Sequence, residues 1–146
     1  MKFSTELHEK YVILQLQEER LTSTIAPQLK SEFILLNAEG KSNLLLDLSH
    51  VSFADSSGLS ALLRANSLAQ NSGGMFVIYG LRPHVEKLIT ISQLDRVLTI
   101  LPTRQDAIEA AFMHDINAGS DDDLSGEIMN EFGDLTSEGP EAEKGA

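Results

Sequence analysis

The chain predicts an α/β fold: a mostly parallel sheet opened by an antiparallel hairpin, in the order ββαβαβαβα. Three observations predict it. Leu44 to Leu48 is a short, nearly continuous apolar run, as expected of a strand buried on both faces. Runs of that kind alternate with stretches that are apolar at helical spacing, which implies right-handed crossovers and parallel pairing. The opening pair of strands, joined by the turn His8-Glu9-Lys10, is the antiparallel exception.

Each element follows in order. Lys2 to Leu7 and Tyr11 to Gln17 read as the hairpin strands; in the second, Val12, Leu14 and Leu16 alternate with Ile13, Gln15 and Gln17. Thr22-Ser23-Thr24 offers capping hydroxyls ahead of Ile25-Ala26-Pro27, and proline is tolerated in a first helical turn. Leu29, Phe33 and Leu36 continue at helical spacing, and Gly40 marks the stop. After Leu44 to Leu48, a short loop leads to Asp55-Ser56-Ser57-Gly58-Leu59. A second helix starts from Ser57, apolar at Leu59, Leu62, Leu63 and Leu68 and polar at Arg64, Asn66 and Gln70. Asn71-Ser72-Gly73-Gly74 breaks it. Met75 to Tyr79 is another buried strand, and Arg82 to Thr90 is helical after Pro83, with Val85, Leu88 and Ile89 inward. Val97 to Leu101 is the last strand, and Thr103 caps a helix from Arg104 to about Met113.

Composition narrows the function classes. The 146 residues suffice for one domain, residues 1–114, and a tail, residues 115–146. Aromatic residues make up 5% and Trp is absent, so the core is aliphatic. The absence of Cys excludes disulfides, thiolate chemistry and Cys-based zinc sites, and fits a reducing compartment. Met1 to Lys10 holds no signal-peptide core, and no apolar run approaches about 20 residues, so a cytoplasmic protein is expected. The net charge of −11 is concentrated in the tail, which holds 10 acidic residues and one basic; residues 1–114 hold 12 acidic and 10 basic. Neither part shows the basic stripe of a nucleic-acid binder, nor a surface for anionic membranes. The tail, with Asp121-Asp122-Asp123, lacks the apolar density to fold alone. It reads as a solubilising extension. Alternatively, Leu124 to Phe132, amphipathic through Leu124, Ile128, Met129 and Phe132, docks on a partner or on the domain.

The chemistry concentrates at Asp55-Ser56-Ser57-Gly58. A helix N-terminus exposes free N–H groups and the positive end of the helix dipole. A serine there either caps the helix or carries a phosphate. Ser57 is thus a plain cap or a switch, with Ser56 the alternative acceptor. No cofactor is expected: there is no Walker Gly-Lys-Ser/Thr sequence, and Gly73-Gly74 is too short to cradle a triphosphate. His50 and His84 lack partners at metal-ligand spacing and read as loop or surface residues; Glu18-Glu19 reads as solvated charge. No Gly-x-Ser-x-Gly elbow is present, which disfavours a serine hydrolase.

The element order together with Asp55-Ser56-Ser57-Gly58-Leu59 resembles the STAS family, the bacterial anti-sigma-factor antagonists and their relatives, over about residues 2–113. Gly73-Gly74 and Ile91-Ser92-Gln93-Leu94 also resemble family positions. The resemblance implies a binding module rather than an enzyme. Ser57 would accept a phosphoryl group from an anti-sigma factor with serine kinase activity, and a phosphatase would remove it. The unmodified domain would bind that kinase and displace the sigma factor. Thr22, Ser23, Thr24, Asp55, Ser56, Gly58, Leu59 and Arg64 would form the partner surface, Arg64 being either a contact or simply solvated. Where the family has Gly-Glu-Leu-Asp, this chain has Glu19-Arg20-Leu21-Thr22. Thr22 therefore replaces a carboxylate that could orient the hydroxyl or a metal-bound nucleotide. Ser23 and Thr24 could supply hydrogen bonds there without charge. The alternative is a constitutive adaptor subunit of a lipid-transport ATPase complex.

Overall fold

Strand periodicity decides which helix covers which face of the sheet. The computed structural model describes residues 1–116. In chain order the elements are β1 (Phe3–Leu7), β2 (Val12–Leu16), β3 (Arg20–Leu21), α1 (Ala26–Ala38), β4 (Asn43–Asp47), β5 (Phe53–Ala54), α2 (Ser56–Asn71), β6 (Met75–Tyr79), α3 (Pro83–Ile91), a 3-10 turn (Leu94–Arg96) and β7 (Thr99–Leu101). A further helix, α4, covers residues 104–116. Met1–Phe112 is one compact unit; of the second unit, Met113–Ala146, only the helical residues 113–116 are described. The Leu124 to Phe132 segment lies outside the described residues.

The main sheet runs β1-β2-β4-β6-β7, with β1 antiparallel to β2 and every other pair parallel. The apolar run therefore becomes the middle strand: Leu45 of β4 sits opposite Ile13 of β2 and Val77 of β6. Successive side chains point to opposite faces. Val12, Leu14, Leu16, Leu44, Leu46, Phe76 and Ile78 join Leu29, Phe33, Leu62, Ala65, Val85 and Ile89 of α1, α2 and α3 in the larger core. Tyr11, Ile13, Leu45, Val77 and Tyr79 face the other way and meet Ala107 and Ala111 of α4.

Several local expectations are corrected. The hydroxyls of Thr22, Ser23 and Thr24 do not cap α1; its N-cap is Ile25, without a side-chain hydrogen bond. The entry is instead a backbone turn, in which the Thr22 carbonyl accepts from the N–H groups of Ile25 (3.1 Å) and Ala26 (2.9 Å). Asn66 is buried, not on a polar face, because alanines 61, 65 and 69 widen the buried side of α2. Leu88 faces inward as read, half-buried and packed against the larger core. The last strand begins at Thr99, because the 3-10 turn, entered through Gln93 at φ 61°, takes up the preceding residues. The stops hold as read: Gly40 has φ 86°, and the Lys41 N–H closes onto the Leu36 carbonyl at 2.9 Å. Thr103 Oγ1 accepts from the Asp106 N–H at 3.1 Å, capping α4.

Candidate functional site at the mouth of the second helix

Two residues of β3 and two of β5 position the site. These strands pair in parallel, Arg20 with Phe53 and Leu21 with Ala54, in a small ladder of their own. The Asp55 N–H extends the ladder by donating to the Leu21 carbonyl at 3.1 Å. The chain entering α1 is thereby tied to the chain entering α2. Gly58 makes the close approach possible. A Cβ there would run into the Leu21 carbonyl and lie 2.7 Å from Leu21 Cγ. Leu59, one residue on, is buried beneath the helix mouth.

The capping task falls to Asp55, the N-cap of α2. Its Oδ1 accepts from the Gly58 N–H at 3.0 Å, and its Oδ2 from the Ser23 N–H at 3.3 Å. One carboxylate thus satisfies the first turn of α2 and pins the loop before α1. The helix starts at Ser56, one residue earlier than the sequence suggested, which puts Ser57 in its first turn. Reading Ser57 as a plain cap is therefore corrected: another side chain does that work. Ser57 is half-buried and Ser56 exposed. The hydroxyls of Ser23, Ser56, Ser57 and Ser60 make no hydrogen bond to any described residue. Nor do the Ser56 and Ser57 N–H groups, which precede the first intrahelical bond.

These serines surround a surface cleft of about 340 Å³ between α1 and α2, lined by Ser23, Ala26, Pro27, Lys30, Ser56, Ser57 and Ser60. Ser23, Ser56 and Ser57 are thus brought together. Thr22 is half-buried and acts through its backbone, Thr24 is exposed in the turn before α1, and Arg64 is exposed further along α2. None of these three lines the cleft. Lys30 and Ser60 were not singled out from sequence. The available signal was spacing: Lys30 follows Ala26 by four residues and Pro27 by three, one helical face.

Beside the cleft, the β3–β5 ladder carries a second small cluster. The Arg20 guanidinium lies 4.4 Å from the Phe53 ring centroid, and His84 stacks on Phe53 at 6.0 Å with 16° between the planes. Among the described residues no group of three or more His, Asp or Glu side chains could hold a metal ion, and no helix is long and apolar enough to cross a membrane.

The STAS-domain family profile matches residues 2–107. The chain belongs to the STAS family. Solved STAS-like structures agree. The protein TM1081 of Thermotoga maritima is 27% identical, with a TM-score of 0.67 over 76% of this chain and 89% of its own. An anti-sigma factor antagonist from Mycobacterium paratuberculosis is 24% identical, with a TM-score of 0.68 over 75% and 92%. The phosphorylated form of the Bacillus cell fate determinant SpoIIAA is 20% identical, with a TM-score of 0.59 over 75% and 98%. At their identities, the last two bear on the fold alone. The STAS domain of this chain therefore has its motif serine at a helix mouth, uncommitted to capping.

Proposed function

We propose that this STAS domain is a phosphorylation-switched binding module, an anti-sigma-factor antagonist rather than an enzyme, with Ser57 as the acceptor. It binds an anti-sigma factor that is also a serine kinase, and phosphorylation of Ser57 by that kinase releases it. A phosphatase resets the serine. The single observation carrying this reading is the spare Ser57 hydroxyl, half-exposed in the first turn of a helix that Asp55 already caps. SpoIIAA, which has the same fold, is known in unphosphorylated and phosphorylated forms.

The physics suits a switch. A phosphoryl group adds roughly −1.5 to −2 charges and three acceptor oxygens. At a helix N-terminus the dipole and free N–H groups receive that charge without refolding. A partner seated over Ser56, Ser57 and the Thr22–Thr24 loop would meet added bulk and charge, beside the existing carboxylate of Asp55. A penalty of roughly 3 kcal/mol weakens binding about a hundredfold. Gly58 and Leu59 serve this surface from below, since both are buried.

The test begins with the full chain recovered from its source cells and mapped by mass spectrometry. Phosphate is expected on Ser57. In pull-downs, Ser57→Ala should retain an ATP-binding kinase that Ser57→Asp retains at least tenfold less. Equal retention by both variants would overturn the electrostatic switch; phosphate confined to Ser56 would move it one residue.

A further inference from the structure

We propose that Lys30 is the counter-cation of phosphorylated Ser57, so that the phosphoryl group is ion-paired within the protein's own cleft. This rests on the modification of Ser57 inferred above and goes beyond it by naming the residue that receives the charge. Lys30 arises from α1 and Ser57 from α2, and both line the same cleft between the two helices. The other lining residues are Ser23, Ala26, Pro27, Ser56 and Ser60, all neutral. Lys30 is half-buried, yet it makes no hydrogen bond or ion pair with any described residue.

A lysine of this kind packs its aliphatic stem and keeps its ammonium available to a partner. The carboxylate of Asp55, at the N-cap of α2, is engaged elsewhere: its two oxygens accept from the Gly58 and Ser23 N–H groups. The residues lining the unmodified cleft thus include one cation, four unengaged hydroxyls and two open N–H groups, and the Asp55 carboxylate at the helix cap is turned to the backbone. Adding a dianion at Ser57 completes the set. The groups facing the phosphoryl oxygens are then Lys30 from α1, which favours the dianion, and Asp55 from the cap of α2, which opposes it. The first-turn N–H groups of α2 also favour it. Pairing in this way holds the phosphoryl group toward α1, across the cleft that Ser23 and Ser57 line.

The test installs phosphoserine directly at position 57 of the full chain by genetic encoding, so it needs no kinase. Phosphorus NMR then follows the second ionisation of the phosphoserine, whose ordinary pKa is about 6. It should ionise at lower pH in the parent than in Lys30→Gln, by about 0.5 unit for a partly solvated pair. Lys30→Arg should restore the parent value, and Lys87→Gln on α3 should leave it unchanged. Lys30→Met keeps the aliphatic stem and should match Lys30→Gln, which guards against a variant that folds poorly. Identical titration in the parent, Lys30→Gln and Lys30→Met would overturn the role of Lys30. It would leave the modification of Ser57 to stand or fall on the mass-spectrometric map.

Discussion

At the scale of single residues, the helix mouth separates support from exposure. Asp55 and Gly58 build it, and Ser56 and Ser57 are presented on it. Gly58 has the sharper requirement, because the atom a Cβ would meet is the Leu21 backbone carbonyl of a paired strand. That carbonyl cannot swing aside without breaking its hydrogen bond from the Asp55 N–H. Gly58→Ala should therefore cost about 1–3 kcal/mol, the range for forced overpacking, although alanine is the better helix former. Urea unfolding followed by circular dichroism measures this; an unchanged or higher midpoint would show that β3 can retreat. The motif itself was legible in the sequence, since hydroxyl and carboxyl side chains ahead of an apolar helix have few other uses. The division of labour was not. Asp55 and Ser57 are both plausible caps on paper, and the choice was made by the backbone geometry at Asp55 together with the Ser23 N–H on its second oxygen.

At the scale of elements, the order of strands and long helices was readable because each buries a face with its own period. The short elements were not. β3 and β5 have two residues each, too few for any alternation to register. The 3-10 turn, three residues with none buried, is likewise too short to carry a pattern of its own. Charge placement follows a similar rule. Glu6 of β1 takes a bidentate pair from Arg104 of α4, at 2.7 and 2.9 Å, 98 residues away in sequence. Hydrogen bonding from Arg104, then from His8, lowers the Glu6 carboxyl to about 2. A carboxyl lowered in the folded state adds stability above its ordinary value of 4.5, lost as pH falls from there toward about 2. The contribution is small, because the pair is exposed and screened. Glu6→Gln should flatten the stability profile between pH 4.5 and 2 and reduce its salt sensitivity. Urea midpoints across that range check it; an unchanged slope would remove the pair from the acid response.

At the scale of the whole molecule, the sheet is covered unequally. α1, α2 and α3 lie over one face with large side chains, whereas α4 meets the other mainly through Ala107 and Ala111. Tyr11 fills part of that thinner layer, stacking on His8 at 4.5 Å and meeting the edge of Phe112 at 5.9 Å. Among the described residues, the members of both cores all lie within Met1–Phe112. A chain ending after Ile116 should therefore unfold in one cooperative thermal transition, close to that of the full chain. Loss of that transition would show that residues beyond 116 contribute to the core.

The amino-acid sequence alone determined the α/β class, the antiparallel opening, the central place of Leu44 to Leu48 and the motif that marks the site. Those features rest on local preferences and on short-period burial, which any window of the chain carries with it. Tertiary structure alone decided the β3–β5 ladder, the cap at Asp55, the burial of Asn66 and the placing of Lys30 and Ser57 on one cleft. Each of these depends on groups distant along the chain meeting at one point, and no spacing rule encodes where two helices come to rest against each other.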